Sequence, residues 1–154
     1  MHTIFATPKN FEGIFDVIQT NAIYSWRALG DEIEIIIFGD SKGSKEIARE
    51  INAIHIPNVK TSPNGVPFLS DLFSKADEVT SNQTLTFINA DIILPINFLK
   101  PIKSIDEKFK TFLMVGYRWD IDQKNKINFF DSKEVKQFWL DSEKKAKKQT
   151  CSYI

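Results

Sequence analysis

Apolar and polar positions along this chain switch repeatedly between a period of two and a period near 3.6. Thr3-Ile4-Phe5-Ala6-Thr7 is a short apolar run closed by Pro8 and predicts a first strand. Phe11, Ile14, Phe15, Ile18, Ala22, Trp26 and Leu29 then recur at helical spacing, with Gly30 where a helix C-terminus favours a left-handed residue. Glu34-Ile35-Ile36-Ile37-Phe38 is apolar on both faces, the pattern of a central strand covered from both sides, and it stops at Gly39-Asp40. The spacing predicts a short helix over 45–51 and a third strand at Ile54-His55-Ile56 ended by Pro57. A loop follows over 57–67, which holds three prolines. Pro67 is placed to open a helix with Phe68, Leu69, Leu72, Phe73 and Ala76 as its buried stripe. Leu85-Thr86-Phe87-Ile88 predicts a fourth strand, and Pro95 and Pro101 break up the segment after it. Phe112-Leu113-Met114-Val115-Gly116 predicts a fifth. Asp131-Ser132-Lys133-Glu134 has capping-box spacing for a last helix, with Val135, Phe138, Trp139 and Ala146 on one side.

This alternation of strand and helix specifies an α/β fold, expected as a three-layer α/β/α sandwich with a mostly parallel central sheet. A chain of 154 residues has room for one principal domain. Twenty Lys and Arg balance twenty Asp and Glu, so no global positive field argues for nucleic acid. The balance hides an asymmetry: residues 1–122 carry 12 basic and 16 acidic side chains, and residues 123–154 carry 8 and 4. The expected organisation is therefore a core over 1–122, then a polar connection and a Lys-rich amphipathic helix over 123–154. One cysteine excludes a disulfide framework and a multi-cysteine zinc site, and it suits a reducing compartment. The longest apolar run, 35–39, is far below the roughly 20 residues of a bilayer span, and no secretory signal opens the chain. A cytoplasmic protein is expected.

In open parallel sheets, ligands collect outside the carboxyl ends of the strands. Polar or special residues follow these strands one after another: Thr7-Pro8, Asp40, Asn64-Gly65, Asp91, and Arg118-Trp119-Asp120. Each has a plain alternative, since Pro8 can simply stop a strand, Gly65 make a turn and Asp40 cap the next helix. Their joint placement on one rim favours function. Within Phe87-Ile88-Asn89-Ala90-Asp91-Ile92-Ile93-Leu94, one carboxylate is delivered at the end of an apolar strand, where a positive partner would relieve its cost. A divalent ion suits that place, because hard oxygen ligands fit Mg²⁺ or Mn²⁺ and such an ion also grips a diphosphate.

Thr7-Pro8-Lys9, then Gln19, Asn21-Ala22-Ile23 and Ser25-Trp26, followed in order by Phe38-Gly39-Asp40, Asn64-Gly65-Val66-Pro67, Asn89-Ala90-Asp91 and Arg118-Trp119-Asp120, resemble a family of GT-A-fold glycosyltransferases. The resemblance covers about residues 3–122. It implies a Rossmann-like nucleotide-diphospho-sugar transferase fold and a UDP- or GDP-sugar donor bound at the sheet rim. By the same resemblance Asn89-Ala90-Asp91 stands for the family's DxD motif, with Asn89 in place of the first aspartate and Asp91 holding Mn²⁺ or Mg²⁺ on the diphosphate. Thr7 and Asp40 would face the nucleoside, and Gly65 would lie in the loop that closes over it. Arg118 would add positive charge near the leaving group, with Glu78, Asp120 and Asp122 as possible bases.

The resemblance has departures. The acceptor-binding second half of such enzymes is not expected in 154 residues, and the only histidines are His2 and His55, so no late histidine ligand is available. His55, in a short apolar strand, is expected to be a satisfied core residue, and Trp119 is expected to be core, with a sugar-stacking platform as its alternative. Two functions follow: sugar transfer to an acceptor hydroxyl, or a non-catalytic remnant that binds a nucleotide or a partner. Walker A and G-x-G-x-x-G patterns are absent, which disfavours the corresponding nucleotide-binding classes. An apolar patch is expected to stay uncovered, with Phe129, Phe130, Phe138 and Trp139 as the residues that cover or extend it, and self-association or a partner protein is expected at that surface. Lys144-Lys145-Ala146-Lys147-Lys148 ahead of Cys151-Ser152-Tyr153-Ile154 has the outline of a lipidation box, although Ser152 and Tyr153 are poor aliphatic positions. Unmodified, the same lysines would graze an anionic membrane surface.

Overall fold

In the computed structural model, which describes residues 2–148, the first apolar run forms strand β1 (His2–Ala6) and the run 33–38 forms β2 (Ile33–Phe38). Short strands β3 (Ile54–Ile56) and β4 (Leu85–Phe87) complete a four-stranded, all-parallel sheet in the order β3-β2-β1-β4. The register sets Ile4 opposite Ile35 and Phe5 opposite both Ile36 and Phe87. Helices α1 (Ile14–Arg27), α2 (Ser44–Glu50), α3 (Leu69–Val79), α4 (Leu99–Asp106) and α5 (Ser132–Lys145) lie between and after the strands. A two-residue antiparallel ladder joins β5 (Trp119–Asp120) to β6 (Lys147–Lys148). The molecule is α/β, in an arrangement compatible with a Rossmann-like fold.

The period-two alternation within the strands divides the core. Ile4, Ala6, Ile35 and Ile37 pack with Ala22, Ile23 and Trp26 of α1, Ile47 and Ala48 of α2, and Leu99 and Ile102 of α4. The intervening Phe5, Ile36 and Phe38 pack with Leu72 and Ala76 of α3. Right-handed crossovers explain the division. The chain steps outward from β1 to β2 to β3 over α1 and α2, then reverses direction to reach β4, which requires α3 on the other face.

Four side chains of α1 act as clips for the loops around it. The Gln19 amide accepts from the Lys9 N–H at 2.7 Å and donates to the Lys9 carbonyl at 2.9 Å. Asn21 treats a second strand of chain in the same way, donating to the Asn125 carbonyl and accepting from the Ile127 N–H. The Ser25 hydroxyl accepts from the Leu94 N–H, and the fully buried Trp26 indole donates to the Ile92 carbonyl at 2.8 Å. Buried polar groups on an otherwise apolar helix face are thus each satisfied by backbone from a distant segment.

Several expectations need correction. Residues 112–116 form no strand, and Leu113 and Val115 are exposed. A fifth parallel strand outside β4 would need a right-handed crossover on the α3 side, whereas α4 packs on the α1 side. Pro101 does not interrupt structure: it occupies the first turn of α4, where a missing N–H costs no hydrogen bond. On α3 the buried stripe is Asp71, Leu72 and Ala76, while Phe68, Leu69 and Phe73 are exposed. Trp119 is exposed rather than core. The last helix begins as expected, with the Asp131 carboxylate accepting from the Lys133 and Glu134 N–H groups. Glu134, however, reaches back to the Asn128 N–H rather than to Asp131, and Ala146 falls just past the helix end. Cys151 and its neighbours lie outside the described residues.

Candidate functional site

The sheet order reverses between β1 and β4, so the carboxyl ends of these two neighbouring strands form the topological switch point of the molecule. Thr7-Pro8 leaves β1 there, and Ile88-Asn89-Ala90-Asp91 leaves β4 beside it, with the Ile88 N–H still donating to the Phe5 carbonyl. The chain then turns through Asn89–Ile92, which leaves Ala90 buried and Asn89 and Asp91 exposed on either side of it.

On the other flank the loop after β1 is fastened to the loop after β2. The Ser41 hydroxyl donates to the Pro8 carbonyl, the Lys42 N–H to the Asn10 side chain, and the Phe11 N–H to the Lys42 carbonyl. Gly39 has φ +89°, a conformation that glycine adopts without strain, so glycine permits the turn beside Thr7. His55 Nε2 lies 2.9 Å from the Gly39 carbonyl, which makes this half-buried histidine the satisfied structural residue that its apolar strand suggests. Asp40 is exposed and does not cap α2, whose N-cap is Gly43.

Asn64 and Gly65 form the exposed tip of a narrow loop. Its arms are joined by a bridge between Thr61 and Pro67, by the Ser62 N–H to the Val66 carbonyl, and by the Phe68 N–H to the Lys60 carbonyl. Gly65 has φ +77° and supplies the turn. Asp71 anchors the base, accepting from the Lys60 N–H at 2.7 Å and pairing with Lys75 at 2.9 Å. These contacts, the backbone N–H first, hold its carboxyl below the ordinary value of 3.8.

The polar side chains around the switch point fall into two groups. Gln19, Asn10, Ser41 and Asp71 are consumed in holding loops. Thr7, Asp40, Asn64, Asn89 and Asp91 make no side-chain hydrogen bond or ion pair with the described residues. The second group is available to a ligand. Asn89 and Asp91 offer hard oxygen donors two residues apart. No cluster of three or more His, Cys, Asp or Glu converges among the described residues, so a cation held there would draw most of its ligands from phosphate and water. That is the usual situation for Mg²⁺ on a nucleotide.

Arg118, Asp120 and Asp122 do not follow a fifth parallel strand, because residues 112–116 form none. They belong to the segment laddered to Lys147–Lys148, where Arg118 pairs with Asp120 at 3.4 Å and Lys124 with Asp122 at 3.3 Å. Glu78 is exposed near the end of α3.

Two concave surfaces lie elsewhere. A groove of about 510 Å³ between α1 and α2 is lined by Tyr24, Glu46, Glu50, Lys126, Phe130 and Glu134, among others. Partial burial and the hydrogen bond to Glu50 raise the Tyr24 phenol above its ordinary pKa. A second groove, about 480 Å³ and more apolar, runs between α1, Leu94, Ile96 and the Val135, Trp139 and Leu140 side of α5. Here Phe129 and Phe138 are buried and Phe138 stacks edge-on to Trp139 at 4.9 Å, while Phe130 stays exposed. Sequence reading missed the first groove, for which the i, i+4 pair Glu46 and Glu50 beside Tyr24 was the signal; Phe129, Phe130 and Trp139 of the second are residues it had assigned to an apolar patch. Neither groove is lined by Thr7, Asp40, Asn89 or Asp91. No protein-family model matches the chain, and no curated protein matches it.

Proposed function

We propose that this chain is a donor-binding domain of GT-A type, a three-layer α/β/α unit that takes a nucleotide-diphosphate sugar at the switch point and transfers the sugar to an acceptor hydroxyl. The observation that carries the reading is the pairing of uncommitted Asn89 and Asp91 with uncommitted Thr7 at the point of strand-order reversal. In this reading Thr7, Pro8 and Asp40 meet the nucleoside, the Asn64-Gly65 loop tip covers it, and Asn89-Ala90-Asp91 faces the diphosphate. Mn²⁺ or Mg²⁺, when bound, neutralises charge on the departing nucleoside diphosphate. Asp91 would hold that charge in place, and Asn89 would orient a phosphate oxygen or a water beside it. In the transfer the acceptor oxygen bonds to the anomeric carbon as the bond from that carbon to the diphosphate breaks, and a base accepts the hydroxyl proton. Asp120 and Asp122 are the carboxylates proposed for that base, with Arg118 supplying positive charge to the leaving group.

A second reading, a non-catalytic nucleotide- or partner-binding module, is supported by the segment after α4. Within the described residues it builds one helix and a two-residue ladder rather than a second sheet to receive an acceptor. Release of free sugar or nucleoside diphosphate from UDP- and GDP-sugars in the presence of Mn²⁺ separates the two. Turnover supports the transferase. Nucleotide binding without turnover supports the module, and absence of both rejects the donor site.

A further inference from the structure

We propose that residues 109–119 form a docking surface for an anionic lipid bilayer. Every residue of this segment except Phe112 is exposed. Leu113 is 91% exposed, Val115 70%, Tyr117 63% and Trp119 58%, whereas Met114 is 40% exposed and Phe112 packs against the core. The result is a ribbon held to the core by Phe112 and carrying a row of large apolar side chains in solvent, extended at its start by exposed Phe109.

The charge around the ribbon identifies its occupant. Residues 1–99 carry 7 basic and 12 acidic side chains, and residues 100–154 carry 13 basic and 8 acidic, so the ribbon lies in the positive part of a polarised molecule. Exposed Lys100, Lys103, Lys108 and Lys110 precede the row. The backbone ladder between β5 and β6 sets Lys147–Lys148 beside its far end. Among the acidic residues closest in sequence, Asp120 pairs with Arg118 and Asp122 with Lys124, while exposed Asp106 and Glu107 lie among the first lysines.

An aliphatic centre, a Tyr and a Trp toward one end and exposed lysines ahead of it follow the polarity profile of a bilayer interface. A protein partner fits this composition less well, because lysine is depleted at protein interfaces. Apolar insertion and attraction to anionic headgroups are each weak alone and add when they act together. The surface requires no membrane-spanning element, and no helix among the described residues is long and apolar enough to be one.

The experiment is co-sedimentation of the full chain, without nucleotide, with vesicles of phosphatidylcholine alone and with vesicles containing about one third phosphatidylserine. The wild type should bind the anionic vesicles at least about tenfold more tightly than the neutral ones, and the preference should shrink as salt is raised. Leu113→Ser with Val115→Ser should weaken binding by about tenfold or more with circular dichroism and thermal midpoint unchanged, since both side chains are already in water. Lys108→Glu with Lys110→Glu should remove the preference for anionic lipid. Absence of sedimentation, equal binding to both vesicles, or indifference to the serine substitutions overturns the proposal. Vesicle indifference combined with a dimer in light scattering that the serine substitutions dissolve would also overturn it, and would assign the ribbon to a second copy of the chain. Because nucleotide is omitted, the result is independent of the donor-site reading.

Discussion

Asp91 gains nothing from the rest of the protein. It is exposed, it makes no hydrogen bond or ion pair with the described residues, and its carboxylate therefore adds little to folding. Asp91→Asn keeps the shape and removes the charge, so the thermal midpoint should be unchanged. Titration calorimetry of UDP or GDP with and without Mn²⁺ then isolates the ligand role. The wild type should bind nucleotide about tenfold or more tightly with the metal than without it, and the variant should show no such gain. Equal metal response in the two proteins would reduce Asp91 to a loop residue. His2 shows the opposite economy. It is buried on β1 with its Nε2 2.8 Å from the Thr86 hydroxyl, and burial above all lowers its pKa from 6.5 to about 4. The folded state therefore prefers the neutral ring. Its contribution is complete above the unfolded value and is lost as pH falls from about 6.5 toward 4. Urea denaturation at about pH 7 and about pH 4.5 should differ by roughly 2 kcal/mol on this account, and His2→Gln should flatten that difference. Asp71, whose carboxyl is lowered, adds a further loss only below its ordinary 3.8.

At the level of elements, α1 is where the sequence signature and the architecture meet. Gln19, Asn21, Ser25 and Trp26 carry part of the glycosyltransferase resemblance, yet all four are buried and bonded to backbone of other segments. Trp26→Ala removes both a core side chain and the bond to Ile92, and should cost about 3–5 kcal/mol in chemical denaturation. Asn21→Ala should cost about 1–3 kcal/mol and raise hydrogen exchange selectively around Ile127, whose N–H loses its acceptor. The sheet, α1, α2 and the capped start of α5 were legible because period and caps agree there with the tertiary environment. Residues 112–116 were misread for a physical reason: a strand-like pattern states what a segment would do beside a sheet, and handed connectivity decides whether a sheet edge is within reach. Pro101 was misread because a proline's cost depends on its turn within the helix. The rim residues Thr7, Asp40, Asn89 and Asp91 could be placed from strand ends alone, but which polar side chains were already consumed by loop contacts could not. The grooves beside α1 depend on where 126–130 and α5 dock, which no local pattern encodes.

Across the whole molecule, order is distributed very unevenly. Phe5, Ile35, Ile36 and Ile37 are sealed between two clusters, and β1 is hydrogen-bonded on both sides. From 110 to 116, by contrast, no backbone N–H donates a hydrogen bond to the described residues, and only Phe112 packs on the core. Opening the sheet requires global unfolding, whereas exposing the amides of 110–116 requires almost nothing. Native-state hydrogen exchange followed by mass spectrometry should therefore show β1 and β2 protected by at least about a thousandfold and 110–116 close to the unprotected rate. Protection of 110–116 comparable to that of β1 would mean that this segment pairs in solution, either as the fifth strand its sequence pattern describes or with another chain. The two causes separate on dilution, because pairing within one chain is independent of concentration. With anionic vesicles present, slower exchange at 110–116 and unchanged exchange in β1 and β2 is the expected pattern for a ribbon that lies on lipid while the sheet behind it stays as it was. A uniform change across all segments would instead report a shift in global stability, and would remove the ribbon from any specific role in membrane contact.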